Sequence, residues 1–160
     1  MTIQVGDRLP DLTLTTMTEE GPKPVSVNEL CAGKKVVIFA VPGAFTPTCS
    51  VQHLPGFIEN KQTLNDKGVD SVVCISVNDP FVMGAWGKDR EVGDSVLMLS
   101  DGNGEFTAAI GLEMDGSGFG LGTRSQRYAM IVDDGVVSKL NVESGPGLDV
   151  SSAETILSEI

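Results

Sequence analysis

The sequence has 160 residues, of which 22 are Asp or Glu and 11 are Lys or Arg, so its formal net charge is −11. This acidic balance argues against nucleic acid and against an anionic membrane surface as partners, because both recruit clustered Lys and Arg side chains. The length predicts one domain over residues 1–160, and the 41% hydrophobic content is typical of a globular protein and not of a disordered one.

The N-terminal segment has no basic stretch followed by an apolar stretch, as a secretory signal would. The longest apolar run, residues 36–41, is far too short to cross a membrane. Three cysteines in a chain of this length are unlike the framework of a disulfide-stabilised secreted protein. These observations favour a cytoplasmic protein, in which a reactive cysteine has to be identified from its surroundings.

Apolar runs typical of buried strands alternate with helical patterns along the chain. In the first half of the chain the patterns predict a strand over 34–41, a helix over 47–67 kinked at Pro55, a strand over 69–77 and a helix that begins at Asp79-Pro80. In the second half they predict a strand over 95–99, a short helix over 105–112, and strands over 126–132 and 136–142 around the turn Asp133-Asp134-Gly135. A last helix is predicted to begin at a Ser151-x-x-Glu154 capping box. This order predicts an α/β fold whose central sheet is mixed and is flanked by helices.

The common signatures of cofactor sites are missing from the sequence. The glycines of residues 111–122 never take the G-x-G-x-x-G spacing, and no phosphate-binding G-x-x-x-x-G-K-[ST] motif occurs. His53 is the single histidine, and no two cysteines are closely spaced, so a zinc site is not expected. We therefore predict neither a cofactor nor a metal, and any chemistry has to come from side chains.

Cys49 is the candidate nucleophile. Residues 41–50, V-P-G-A-F-T-P-T-C-S, leave the carboxyl end of the first predicted strand and enter a helix, where open α/β sheets place their sites. Cys49 falls in the first helical turn, whose free N–H groups favour the nucleophilic thiolate, and the Thr46 hydroxyl can point to the same place. From its position alone, Cys49 is equally compatible with a small buried apolar residue.

Arg124 and Arg127 form the second candidate element, because no Lys or Arg occurs between Glu91 and Thr123. Arg127 is predicted at the start of an internal strand, where a buried guanidinium needs an anionic partner. A thiolate is one candidate partner, and a surface carboxylate is the alternative.

The residues around Cys49 resemble the active site of the peroxiredoxins. The pattern P-x-x-x-T-x-x-C at 42–49 resembles the motif of that family, and the longer run 42–50 with H-L-P-G-F at 53–57 is similar to the type II group that includes peroxiredoxin five. R-Y-A-M-I-V-D at 127–133 resembles the segment in which an arginine begins a strand beside the active site. The resemblance covers essentially the whole chain.

This resemblance implies a thioredoxin-like fold and a thiol-dependent peroxidase that reduces hydrogen peroxide and organic hydroperoxides. In such a reaction the Cys49 thiolate attacks a peroxide oxygen and becomes a sulfenic acid. Thr46 and Arg127 bind the peroxide oxygens, and Pro42 shields the sulfur from water. Arg124 and His53 are auxiliary candidates. The family also suggests a homodimer.

The group that resolves the sulfenic acid stays open at this point. The spacing of Cys49 and Cys74 resembles the cysteine pair of other type II members, but Cys74 falls inside an apolar strand, and a bridge would require the Cys49 helix to unwind. The peroxiredoxin-five pattern places a resolving cysteine within 147–151, where this chain has Val150. Glutathione with glutaredoxin is the alternative reductant, and thioredoxin competes with it. Cys31 is expected to have no role.

Three other functions are weighed against the peroxidase. His53 lies one helical turn after Cys49, which suggests a cysteine hydrolase with His53 as the base, although no orienting acid is evident. A thioredoxin-fold disulfide exchanger is disfavoured because the sequence has no C-x-x-C. The remaining alternative is a non-catalytic thiol redox sensor or binding protein of the same fold.

Overall fold

A mixed β-sheet of seven strands forms the centre of the structure, a computed structural model that describes residues 2–145 and 147–160. The strands of the described residues are β1 (Thr13–Thr18), β2 (Gly21–Ser26), β3 (Lys35–Ala40), β4 (Ser71–Ser76), β5 (Leu97–Ser100), β6 (Glu113–Asp115), β7 (Thr123–Ser125), β8 (Tyr128–Asp133) and β9 (Val136–Val142). The sheet order is β2-β1-β5-β4-β3-β8-β9, and β6 and β7 pair separately.

The mixed character of the sheet is as predicted. The strands β3, β4 and β5 are parallel, whereas β8 is antiparallel to both β3 and β9. Asp134 and Gly135 have φ angles of 50° and 82°, so the two residues between β8 and β9 adopt the left-handed conformation that a tight hairpin turn requires. The predicted hairpin is therefore present.

The helices lie on both faces of the sheet. They are α1 (Val27–Cys31), α2 (Leu54–Glu59), α3 (Lys61–Asp66), α4 (Pro80–Asp89), α5 (Glu105–Ile110) and α6 (Ala153–Glu159), together with a π-helical turn, Cys49–His53, and a 3-10 turn, Ser117–Phe119. The β1–β2 hairpin and α1 were not predicted. Pro22 and Pro24 interrupt the strand pattern of β2, which tolerates them because it is an edge strand.

The helix predicted over 47–67 with a kink at Pro55 is present but irregular, because this segment consists of the π-helical turn, α2 and α3. Pro55 has no N–H for the carbonyl of Val51, and its ring would crowd that carbonyl in a regular helix. The wider π-helical turn, in which the Leu54 N–H donates to the Cys49 carbonyl, accommodates the proline. The chain breaks again at Asn60, whose side-chain amide donates to the Gly56 carbonyl at 2.8 Å.

The two predicted helix caps have different outcomes. Asp79 caps α4 as predicted, since its carboxylate accepts the Val82 N–H at 2.8 Å. The capping box at Ser151 is wrong, because Ser152 caps α6 by accepting the Thr155 N–H at 3.2 Å. Ser151 is fully buried, and its hydroxyl donates instead to the Glu143 carboxylate.

Two apolar clusters pack on opposite faces of the sheet. Side chains alternate along each strand, so Phe39 and Cys74 face the cluster that contains Cys49, while Ile38 faces the cluster that contains Cys31. The sheet therefore separates Cys31 from the other two cysteines. Among the described residues, no helix is both long and apolar enough to span a bilayer.

Candidate active site

The loop between β3 and the π-helical turn presents Cys49. Cys49 is the first residue of that turn, and its side chain is fully buried. The Ala44 N–H donates to the Asn78 side-chain oxygen at 3.0 Å, which ties the loop to the segment after β4. The Thr46 hydroxyl donates to the Gly43 carbonyl at 2.7 Å. These bonds hold the loop so that Thr46 and Cys49 share one end of the sheet.

Ser50, the residue after the nucleophile, is anchored to α4. The Trp86 indole N–H donates to the Ser50 hydroxyl at 2.9 Å, and an Arg90 guanidinium N–H donates to the Ser50 carbonyl at 3.2 Å. The Ser50 N–H in turn donates to the Thr46 carbonyl at 2.9 Å. Sequence reasoning missed this anchor, because no local pattern shows that an indole from another helix reaches the turn.

Arg127 brings a positive charge to Cys49. Its Nη2 donates to the Cys49 sulfur at 3.1 Å, and the side chain is 5% exposed. A guanidinium at this distance favours the thiolate over the neutral thiol. The Nε atom of Arg127 is also buried, and it has no hydrogen-bond partner among the described residues. A buried donor without a partner costs free energy unless a ligand atom accepts its hydrogen.

His53 lies on the other side of the same guanidinium. Its Nε2 is 2.9 Å from the Ser151 carbonyl, and its Nδ1 is 2.9 Å from Nη1 of Arg127. A carbonyl can only accept, so Nε2 carries the hydrogen and Nδ1 accepts from Arg127. Burial, and after it the charge of Arg127, lower the pKa of His53 to about 3, against opposing effects of the Ser151 bond and of Glu143. His53 is thus a neutral acceptor for Arg127, which disfavours the hydrolase hypothesis.

A cavity of about 650 Å³ opens beside these residues. Pro42, Thr46 and Arg127 line it, together with apolar side chains that include Leu121 and the exposed Phe119. Cys49 does not line the cavity, but Arg127 both lines it and contacts the Cys49 sulfur. Arg127 therefore links the cavity to the Cys49 sulfur.

Comparison with known proteins assigns the family. The Redoxin family model matches residues 4–157. Peroxiredoxin-2B of Arabidopsis thaliana is 53% identical over 97% of this chain and 96% of its own length, and the chloroplastic Peroxiredoxin-2E of the same plant is 54% identical over 97% and 68%. The chain is a type II peroxiredoxin.

Solved structures agree with this assignment. Reduced Prx3 from Vibrio vulnificus in complex with hydrogen peroxide is 56% identical, covers 99% of both chains and superimposes with a TM-score of 0.94. Peroxiredoxin 5 from Alvinella pompejana is 34% identical, with a TM-score of 0.85 over 98% and 96% of the two chains. The fold is thioredoxin-like, as the resemblance implied, and the protein is a thiol-dependent peroxidase with Cys49, beside Arg127, as its peroxidatic cysteine.

The other two cysteines of this peroxiredoxin have different surroundings. Cys74 is fully buried in β4 between Phe39 of β3 and Met98 of β5. Burial raises its pKa well above the ordinary value, and the nearby charge of Cys49 adds to this, while Arg127 partly opposes it. Cys31 lies on the opposite face of the sheet, where burial raises its pKa to about 11. Both are poor nucleophiles because they stay protonated.

Arg124 contacts the active-site loop of the peroxiredoxin and not its sulfur. It belongs to β7, where its Nη1 donates to the Pro42 carbonyl at 3.2 Å and its Nε to the Leu121 carbonyl at 2.9 Å. A Cβ at Gly43 would come within 3.0 Å of Arg124 Nη1, so glycine allows this close approach. Arg124 therefore ties the active-site loop at Pro42 to the segment that contains Leu121.

Proposed function

We propose that this peroxiredoxin reduces hydrogen peroxide and organic hydroperoxides at Cys49, with Arg127, Thr46 and Pro42 surrounding the peroxide. The observation that carries the proposal is the 3.1 Å contact between Arg127 Nη2 and the Cys49 sulfur, beside a buried Arg127 Nε without a partner among the described residues. One guanidinium can in this way stabilise the thiolate and still donate to a substrate oxygen.

The chemistry follows from these groups. The Cys49 thiolate attacks the hydroxyl oxygen of the peroxide, a sulfur–oxygen bond forms and the oxygen–oxygen bond breaks. Sulfur is oxidised to sulfenic acid, and the leaving oxygen is reduced and takes up a proton to depart as water or an alcohol. Arg127 donates to the oxygen on which negative charge develops. The Thr46 oxygen can accept from the peroxide, because its own hydrogen goes to Gly43.

The cavity supports organic hydroperoxides as substrates. Its volume of about 650 Å³ far exceeds the space that hydrogen peroxide needs, and Met114, Phe119 and Leu121 give it apolar walls. Pro42 stands at the same wall and can keep bulk water from the sulfur. We expect a lower KM for a hydroperoxide with an apolar group than for hydrogen peroxide, with Cys49 attack common to both.

For the resolving step we propose an external thiol, either glutathione with glutaredoxin or thioredoxin. Cys74 remains the alternative, but its burial within β4 and its raised pKa both disfavour attack on the Cys49 sulfenic acid. Mass spectrometry of the peroxide-treated protein without added thiol separates the routes. Sulfenic or sulfinic acid on Cys49 supports the external thiol, whereas an intrachain Cys49–Cys74 bridge would contradict it.

We also propose a cytoplasmic homodimer. Phe45 and Phe119 are 52% and 88% exposed; Phe119 lines the cavity, and Phe45 precedes Thr46 in the active-site loop. Exposed apolar side chains beside a site are typical of an interaction surface. Sedimentation of the wild type and of Phe119→Ser tests the dimer, and cell fractionation tests the compartment, since one similar relative is a chloroplastic protein.

Stopped-flow oxidation by hydrogen peroxide tests the central proposal. Trp86, the single tryptophan, donates to Ser50 next to Cys49, so its fluorescence should report the oxidation. We expect Cys49 to react faster than a free thiol by orders of magnitude. Cys49→Ser should lose the reaction, and Cys31→Ala should keep it. A Cys49→Ser variant with full peroxide turnover would place the reaction on another group and overturn the proposal. A Cys49 sulfur that reacts no faster than a free thiol would leave a non-catalytic role for this chain.

A further inference from the structure

Glu143, the residue immediately after β9, organises the segment that leads into α6. Its Oε2 accepts three hydrogen bonds: from the Asp149 N–H at 2.9 Å, from the Ser151 N–H at 2.8 Å and from the Ser151 hydroxyl at 2.6 Å. The Glu143 N–H donates to the Arg127 carbonyl at 2.9 Å. One residue therefore connects the backbone of Arg127 to Ser151, although it contacts no reacting atom.

Hydrogen bonds continue from Ser151 to the sulfur. The Ser151 carbonyl accepts from His53 Nε2, which directs the lone pair of His53 Nδ1 toward Arg127 Nη1. The same guanidinium donates through Nη2 to the Cys49 sulfur. His53, Ser151 and Arg127 are all buried, so water does not compete for these bonds as it would at the surface.

The position favours a carboxylate. All three hydrogen bonds converge on Oε2 of Glu143, and a charged oxygen accepts them more strongly than the neutral oxygen of a carboxamide would. Burial acts to raise the pKa of Glu143, but the hydrogen bonds from the Ser151 hydroxyl and from the N–H groups of Asp149, Ser151 and Val150 outweigh it and hold the pKa below its ordinary value. Glu143 is therefore ionised at neutral pH.

We propose that Glu143 is a positioning residue of the peroxidase site, which fixes Arg127 on the Cys49 sulfur through Ser151 and His53. Without the carboxylate, the Ser151 carbonyl loses its fixed place, and His53 no longer holds Arg127 in the orientation that stabilises the thiolate. The inference rests on the proposed role of Arg127 in peroxide reduction, and it adds a dependence on Glu143, which lines the cavity but makes no hydrogen bond to the Cys49 sulfur.

The test compares Glu143→Gln with Glu154→Gln, which removes an exposed carboxylate from α6. For Glu143→Gln we expect the rate constant for Cys49 oxidation by hydrogen peroxide to fall about tenfold, since small misplacements of catalytic groups cost that much or more. The ultraviolet absorbance of the thiolate should appear at higher pH than in the wild type. Ser151→Ala, which keeps the carbonyl and one N–H donor, should show a smaller change in the same direction, and Glu154→Gln none.

A double-mutant cycle separates positioning from simple stabilisation of the fold. In a His53→Leu background the relay is already broken, so Glu143→Gln should cause no further loss of rate. A merely structural role would lower the rate equally in both backgrounds, or lower only the free energy of unfolding, and either result would overturn the inference. If the wild type reacts rapidly and both Glu143→Gln and Ser151→Ala equal it in rate and in thiolate titration, the inference about Glu143 is overturned and the proposed function is kept. A slow wild type would overturn the proposed function instead.

Discussion

Cys49 and Cys74 occupy the same apolar cluster on one face of the sheet, and both side chains are fully buried. Cys49 lies at the start of a helical turn with a guanidinium at 3.1 Å, whereas Cys74 lies inside a strand between two other strands. Burial raises the pKa of Cys74 far above its ordinary value. The difference shows that burial does not decide the reactivity of a thiol; the nearest charge and the local backbone do.

The backbone adds to the electrostatic contrast. Cys74 pairs with Phe39 and Met98, so its Cα cannot move without breaking ladder bonds on both sides. Cys49 follows a loop and is the first residue of a short π-helical turn. At the N-terminal end of a helix, backbone N–H groups without helical partners favour a negative charge such as a thiolate. Ser50 is held there by hydrogen bonds from Trp86 and Arg90, which attach the turn to α4 although the turn lies outside the sheet.

Removal of the guanidinium should abolish most of this contrast. For Arg127→Met we expect the rate constant for Cys49 oxidation to fall by about 10²–10³, because one donor to a developing oxyanion and the charge beside the thiolate are both lost. Stopped-flow kinetics with hydrogen peroxide measures it. Lys139→Met, which removes an exposed positive charge from β9, should react like the wild type. If Arg127→Met and Lys139→Met oxidise at equal rates, the charge of Arg127 is not what makes Cys49 more reactive than Cys74.

Acidification should lower the stability of the fold through His53, which contacts the guanidinium beside Cys49. The pKa of His53 is about 3 in the folded protein and 6.5 as its ordinary value. Between these values the unfolded chain binds a proton that the folded chain does not, so the free energy of unfolding falls as the pH drops below 6.5, by up to about 1.4 kcal/mol per pH unit. Above pH 6.5 this contribution is constant.

His53→Gln isolates that contribution, because glutamine can donate and accept but does not titrate. Chemical denaturation at a series of pH values from about 7 to about 4 should give a shallower loss of stability for His53→Gln than for the wild type. The remaining carboxylates contribute to both proteins and cancel in the difference. Parallel curves would mean that His53 is protonated in the folded state, contrary to its role as an acceptor for Arg127.

Substitution of Cys74 should change the stability of the fold and leave the rate of Cys49 oxidation nearly unchanged. Cys74→Ala should lower the free energy of unfolding by about 1–2 kcal/mol, because a buried sulfur is replaced by a small cavity. Oxidation of Cys49 by peroxide should stay within about twofold of the wild type, because Cys74 makes no bond to the reacting sulfur in the described structure. Denaturation and stopped-flow kinetics measure the two effects. A tenfold slower first oxidation would contradict the separation of the two cysteines.

Much of the site was predictable from local sequence. The spacing of Pro42, Thr46 and Cys49 after an apolar strand already indicated the loop. The long gap in Lys and Arg pointed to Arg124 and Arg127, and the place of Arg127 at the start of a predicted strand favoured it. The parallel strands and the hairpin at Asp134 also followed from runs of apolar residues and from turn chemistry.

The remainder depends on contacts between distant elements. Nothing near Ser50 indicates that the Trp86 indole reaches it, and Ser151 and Ser152 are equivalent cap candidates until one of them is buried against Glu143. The division of the predicted long helix similarly depends on how the chain relieves Pro55, for which a kink and a π-helical turn are alternative outcomes. Packing decides such cases, and local propensity does not.

Alkylation of the native protein should distinguish Cys49 from the other two cysteines without any substitution. All three cysteines are fully buried, so access alone predicts equal protection in the native protein. With its pKa at about 11, only about one Cys31 thiol in a thousand is ionised at about pH 8, and burial raises the pKa of Cys74 well above its ordinary value as well. Iodoacetamide at that pH should therefore modify Cys49 alone until the chain unfolds, and peptide mapping identifies the modified residue. Cys31→Ala should leave both the extent and the rate of native labelling unchanged. Labelling of Cys31 or Cys74 at the rate of Cys49 would show that access through the fold, and not the charge of Arg127, sets the reactivity of these thiols.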